Sequence, residues 1–259
     1  MEREVLVAKI GGSTLGAHDT TLADVVELQR RGLCPLVVHG GGAVISDWLS
    51  RHGLSTRFER GLRVTDAETL RVVVAVLAGL VNKELVASLQ ALGGRAVGLS
   101  GADGGLLRAR RLDAKMGFVG EIMEVDGRPL VDLMDDGFIP VVAPIAVQWE
   151  GERPTGQLLN INADTAAGAI ARALAARWLV FLTDVPGVQS EDGRVLSSIS
   201  PEEARGLIEA GVVQGGMIPK VEACLEAAAG GARSTVVDGR REHALLAAVE
   251  GQQGGSVVG

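Results

Sequence analysis

Short, unbroken apolar runs alternate along this chain with segments of helical spacing, and that alternation leaves few folds open. Residues 4–10 (EVLVAKI) read as a buried strand, and LCPLVVH at 33–39 reads as a second. Between them lies TLADVVELQRRG. Its Leu22, Val25, Val26 and Gln29 fall on one helical face, and Gly32 stops it. AVISDWLSRHG follows the second strand as another helix, with Val44, Ile45, Trp48 and Leu49 on one side. Strand, helix, strand, helix requires parallel strands joined by crossovers, which is an α/β chain.

The same reading runs on to the end. TDAE at 65–68 predicts a capping box, with Thr65 at the N-cap, and a long or broken helix to about Leu92 with Gly79 as its weak point. RAVGLSG is a strand, and residues 105–128 read as antiparallel ribbons. LVDLMDDG is a short helix, FIPVVAPIAV one buried strand and EGERPTGQ a polar turn. NADTAAGAIARALAA is a helix and RWLVFLTDVPGV a strand running into a turn. SPEEARGLIEAG has Ser200 at the N-cap, Pro201 at the first helical position and Glu203 closing the box. IPKVEACLEAAAGG, STVVDG and EHALLAAVEG give a helix, a last strand and a last helix. A second run of strand–helix units begins near residues 176–178.

Composition excludes several classes. The net charge of −7 comes with no basic cluster, and only seven aromatics are present, so nucleic acid is not an expected partner. The longest apolar run, VVVAVLAGLV at 72–81, falls short of the roughly 20 residues that span a bilayer. A strand begins almost at the first residue, leaving no room for a signal peptide, so a cytoplasmic protein is expected. Cys34 and Cys224 lack metal spacing and read as two thiols.

Glycine is the informative excess, at 36 of 259 residues. HGGG (39–42) and KIGG (9–12) both sit where a parallel strand ends and a helix follows. Ligands of open parallel sheets collect there. Glycine lets backbone amides approach a ligand, and the next helix adds free amides and partial positive charge. The alternative is tight packing of loop on strand. Neither the P-loop nor the dinucleotide glycine pattern is present. Lys9 ends an apolar strand beside a glycine pair, which suits a phosphate ligand or a lysine reaching for water. Lys220, in GGMIPK, stands at a helix start, where a cation is disfavoured unless an anion lies between. Asp164, in LNINAD, is either an N-cap or a carboxylate that holds the lysines. Such parts suit phosphoryl transfer, which asks for positioning and charge neutralisation, with a metal ion carried by the nucleotide.

KIGGSTL, HGGGAVI, GLRVTD, LNINAD, TDVPGV and GGMIPK, in this order and spacing, resemble the amino acid kinase superfamily over nearly the whole chain. Within it they are most similar to the branch that phosphorylates N-acetyl-L-glutamate with ATP and Mg2+ in arginine biosynthesis. The resemblance implies a three-layer αβα sandwich with an open, mainly parallel sheet. It implies an N-terminal lobe, 1–176, for the acyl-amino acid and dimerisation, and a C-terminal lobe, 177–259, for ATP. By the same resemblance Lys9 and Lys220 stabilise the migrating phosphoryl group and Asp164 organises them. Gly11 and Gly12 approach the phosphates. Gly41 and Gly42 hold the γ-carboxylate, Arg63 pairs with the α-carboxylate, and Asn160 bonds the same end. Asp184, Val185, Pro186, Gly187, Val188, Gln189, Val212, Val213 and Gln214 line the nucleotide pocket. A homodimer that arginine does not inhibit strongly is expected, because the first strand starts too early for an extra N-terminal helix. Two alternatives stand beside this: a kinase of an α-aminoadipate derivative in lysine biosynthesis, and a non-catalytic nucleotide-binding regulator of the same fold.

Overall fold

A computed structural model describes residues 3–11, 20–252 and 254–259. In chain order the elements are β1 (Val5–Ile10), α1 (Thr21–Arg30), β2 (Cys34–His39), α2 (Gly42–Arg51), β3 (Phe58–Glu59) and β4 (Leu62–Arg63). A continuous helix follows as α3 (Ala67–Val74), a π-helical segment (Ala75–Val81) and α4 (Asn82–Ala91). Next come β5 (Ala96–Ser100), β6 (Leu107–Arg111), β7 (Gly120–Val125), α5 (Arg128–Asp135), β8 (Ile139–Ala143), β9 (Ile145–Glu150) and β10 (Arg153–Asn160). The remainder is α6 (Ala163–Ala173), β11 (Trp178–Thr183), β12 (Ser198–Ile199), α7 (Pro201–Glu209), α8 (Met217–Ala229), β13 (Arg233–Asp238), α9 (Ala244–Val249) and β14 (Gly255–Val258).

The chain forms two compact units, one of Met1–Val37 with Ala167–Gly259 and one of Val38–Ala166. In the first, strands run in the order β12-β14-β13-β11-β1-β2. β1 pairs with β11 and β11 with β13 in parallel, whereas β14 runs antiparallel to β13. Every residue of β1 and of β11 is buried, as the apolar runs require of strands covered on both faces. Helices α8 and α9 both pack on β11 and β13. A fully buried Leu6 or Phe181 contributes about 1.5–3 kcal/mol over its exposed state. In the second unit β5 pairs with β8 in parallel, and a separate sheet runs β10-β9-β6-β7. The fold is thus α/β, with an open, mainly parallel sheet and flanking helices.

Four local expectations need correction. FIPVVAPIAV is two strands, because Pro144 carries no amide for a ladder and the chain changes sheets there: β8 joins β5, and β9 joins β10 and β6. EGERPTGQ is mostly strand, since β9 and β10 form a hairpin whose turn is Gly151 and Glu152. The N-cap of α3 is Asp66, not Thr65. The Asp66 carboxylate accepts from the Thr69 amide, while the Thr65 hydroxyl donates to the Arg63 carbonyl. The last strand is β14, which the sequence reading lacks. The Ser200–Glu203 box is present in full.

The helix Ala67–Ala91 has the length and composition of a membrane span. It lays Val73, Val76, Leu77, Val81, Leu85 and Leu89 into the core of its unit, against β5, β8 and β10 among others.

Helices α1 and α9 are joined by a buried charge. Asp24 is 1% exposed, and its carboxylate lies 2.7 Å from His243 Nδ1 and accepts from the Leu246 amide. The His243 amide donates to Thr20 Oγ1, which holds a backbone at φ 54°, unusual for a non-glycine residue. The Asp24 carboxylate raises the His243 pKa above its ordinary value of 6.5, through the hydrogen bond first and charge second. Burial raises the Asp24 carboxyl as well, although the His243 ring opposes it. A raised folded-state pKa contributes stability that is complete below the unfolded value and fades as pH climbs through the folded value. His243 is the member that acts near neutrality. Thermal unfolding of wild type and His243→Ala should differ most below pH 6.5, and the gap should close as pH rises through the raised imidazole value.

Candidate active site

Each unit holds its own set of the expected residues. In the Val38–Ala166 unit, Gly41 precedes α2 as its N-cap and Gly42 is its first residue, so the helix starts on the second and third glycines of HGGG. Arg63, on β4, is 7% exposed. Its guanidinium donates to the Gly42 carbonyl at 3.0 Å, to Ser46 Oγ at 2.9 Å and to Thr56 Oγ1 at 3.1 Å, and it lies 4.8 Å from the centroid of Phe58. Burial pulls its pKa down. Among the described residues no carboxylate pairs with it. A desolvated cation held only by neutral oxygens is prepared for an anion from outside the chain.

Asn160, at the end of β10, donates through Nδ2 to Thr65 Oγ1 at 3.1 Å. Thr65 donates in turn to the Arg63 carbonyl at 2.7 Å. The structure therefore ties Gly42, Arg63 and Asn160 into one chain of hydrogen bonds. Ser46, Thr56 and Thr65 were missed as members. Ser46 lies one helical turn beyond Gly42 and also donates to the Gly42 carbonyl, a spacing visible in the sequence. Asp164 is in the first turn of α6 and is 6% exposed, with its amide bonded to Asn162 Oδ1 at 2.8 Å. Asn162, not Asp164, caps this turn, since its Oδ1 also accepts from the Thr165 amide.

In the other unit Lys9 occupies the fifth position of β1, opposite Phe181 of β11, and is 6% exposed. The Gly11 amide bonds the Leu182 carbonyl at 3.3 Å, so the chain leaves the strand still attached to β11. Gly12 lies outside the described residues. Lys220 is the fourth residue of α8 and is half-buried. Helices α6 and α8 touch backbone to backbone: a Cβ on Gly168 would stand 2.8 Å from Ala223 Cα.

The segment Asp184–Gln189 leaves the end of β11. Asp184, Pro186 and Gln189 are exposed, Val185 is half-buried, and Gly187 and Val188 are buried. Ser256 of β14 holds this loop, accepting from the Val188 amide at 2.8 Å. A Cβ on Gly187, at φ 152°, would lie 2.7 Å from Ser256 Oγ and 2.8 Å from Val195 Cγ1. Val213 is buried between half-buried Val212 and exposed Gln214, whose side-chain amide turns back to the Gly211 carbonyl.

Strand ends carrying buried cations and glycine junctions, on an open α/β sheet, define a protein that handles anionic groups such as phosphate and carboxylate. The profile of the amino acid kinase family matches residues 4–238. The acetylglutamate kinase of Dehalococcoides mccartyi is 43% identical over 262 residues, covering 100% of this chain and 96% of its own. That of Geotalea uraniireducens is 46% identical over 259 residues, covering 94% and 87%. Among solved structures, smu.665 from Streptococcus mutans UA159 matches at TM-score 0.83 and 30% identity over 98% of both chains. N-acetylglutamate synthase from Neisseria gonorrhoeae, complexed with coenzyme A and N-acetyl-glutamate, matches at 0.84 and 26%, over 98% of this chain and 59% of that one. The chain belongs to the amino acid kinase family.

Gly187→Ala should lower the unfolding free energy by about 1–3 kcal/mol in urea titration, since the new methyl must displace Ser256 or Val195.

Proposed function

We propose that this chain is an acetylglutamate kinase: it transfers the γ-phosphoryl group of MgATP to the γ-carboxylate of N-acetyl-L-glutamate, in arginine biosynthesis. The observation that carries this reading is Arg63, buried without an acidic partner among the described residues and bonded to the Gly42 carbonyl at the start of α2. The two relatives, matched over 100% and 94% of this chain, support the same substrate.

In the reaction a carboxylate oxygen attacks the γ-phosphorus, the bond from that phosphorus to the bridging oxygen breaks, and ADP leaves. No proton need move. The protein's task is to bring two anions together and neutralise the charge on the transferring group. Arg63 offers its planar fork to the substrate's α-carboxylate, and Asn160 bonds the same end. Gly41 and Gly42 place backbone amides and the positive end of α2 at the γ-carboxylate. Lys9 and Lys220 neutralise the phosphoryl oxygens, Asp164 orients both ammonium groups, and Gly11 and Gly12 approach the phosphates. Asp184–Gln189 and Val212–Gln214 receive adenine and ribose.

Among the described residues no group of three or more His, Cys, Asp or Glu is placed to hold a metal. Mg2+ would arrive on the nucleotide phosphates, the ion's usual mode. In this reading residues 1–176 form the lobe for the acyl-amino acid and the dimer contact, and 177–259 the lobe for ATP. The enzyme works as a cytoplasmic homodimer.

ADP release should be fast with N-acetylglutamate and slow with free glutamate or an α-aminoadipate derivative; preference for the last would assign the chain to lysine biosynthesis. Lys9→Ala and Lys220→Ala should each lower kcat by about 10²–10³-fold. Wild-type turnover in both would leave a nucleotide-binding regulator as the better reading. Arg63→Lys keeps the charge and loses the fork, so the KM for N-acetylglutamate should rise about tenfold or more with the KM for ATP little changed.

A further inference from the structure

We infer that Asn82 and His39 are positioning residues that aim the glycine loop at the substrate carboxylate; this rests on the role proposed for Gly41 and Gly42. His39 ends β2 and is 1% exposed, and Asn82 opens α4 and is fully buried. Asn82 Nδ2 lies 2.9 Å from the Val141 carbonyl, 3.2 Å from His39 Nε2 and 3.3 Å from the Leu99 carbonyl. Its Oδ1 accepts from Lys83 Nζ at 2.9 Å, and Lys83 also reaches the Gly98 carbonyl. Turning the amide over would set its oxygen against two carbonyl oxygens, so its orientation is fixed.

The orientation of the amide decides the state of the ring. Nε2 faces an N–H donor and must accept. Nδ1 lies 3.0 Å from the Gly40 carbonyl and must donate. His39 is therefore the neutral Nδ1–H tautomer. Its proton holds the Gly40 carbonyl. The peptide between Gly40 and Gly41 is planar and trans, so a carbonyl drawn toward His39 sends the Gly41 N–H the opposite way. One buried amide thus sets the direction of the amide that the substrate meets.

The surroundings are cut to allow this. A Cβ on Gly98 would stand 2.0 Å from Asn82 Oδ1, so only glycine lets the side chain reach β5 and β8. A Cβ on Gly41 would stand 2.7 Å from Leu77 Cδ2. Leu77 belongs to the π-helical segment that ends immediately before Asn82. Such segments recur where a helix must present side chains off its regular register.

His39→Leu, His39→Asn and Gly42→Ala, assayed with both substrates varied, test the inference. Leucine fills the apolar space but cannot donate; asparagine keeps a donor near the Nδ1 position. His39→Leu should raise the KM for N-acetylglutamate about tenfold with the KM for ATP within about twofold, and His39→Asn should recover most of that loss. A His39→Leu enzyme with both values unchanged, or with both displaced equally and no rescue by asparagine, overturns the positioning role. Gly42→Ala adds a methyl where nothing lies within 4 Å, so it probes the loop without disturbing the link. If it leaves the KM for N-acetylglutamate unchanged, the assignment of the loop falls, and this inference with it. Nitrogen-15 spectra of the wild-type imidazole give a reading independent of variant folding. They should show a proton on Nδ1 and none on Nε2, and the reverse pattern or an imidazolium overturns the inference.

Discussion

Close approach of backbone, possible only where no Cβ intervenes, is the constraint on which the rest of this structure depends. Gly98 admits Asn82 to the strands, Gly41 lies under Leu77, Gly168 meets the backbone of Ala223, and Gly187 is pressed against Ser256. At each place a methyl would fall closer than 3.0 Å to a neighbour. Glycine costs conformational entropy, roughly 0.5–1 kcal/mol against alanine inside a helix. At Gly168 that cost is offset by helix packing no larger residue permits. The glycine excess is thus partly a packing requirement and, in the function proposed above, partly a requirement of the site, where Gly41 would serve both.

Charge is the second organising theme. Lys9 and Arg63 are cations with almost no contact with water. Arg63 is surrounded by hydroxyls, one carbonyl and the face of Phe58, which hold its shape without cancelling its charge. Among the described residues many ion pairs are exposed, as at Arg51 with Asp47 and Arg194 with Asp192, and such pairs contribute little to stability.

The α/β class and most elements were legible because buried parallel strands are short, mostly apolar and often followed by glycines. What was not legible turned on single residues with two meanings. Pro144 lies inside an apolar run, and only the exchange of partners from β5 to β10 shows that it divides two strands. Thr65 and Asp66 both make good caps, and the hydroxyl of Thr65 is drawn away by the Arg63 carbonyl, leaving the cap to Asp66. For the site, Lys9, Arg63 and the glycines stand out because their types are odd for their places. Asn82 and Thr65 do not. An asparagine in a helix and a threonine in a loop are ordinary until their partners, distant in sequence, are known.

The unit that carries Lys9 is assembled from the two ends of the chain, with Lys9 on β1 opposite Phe181 on β11. The other unit is contiguous. A ribosome adding about 5–20 residues per second brings β2 to one edge of β1 early but leaves the other edge without β11 for roughly ten seconds or more. During that interval a strand that is apolar but for Lys9 presents one open edge, so newborn chains are a natural client for chaperones that shield unpaired strands.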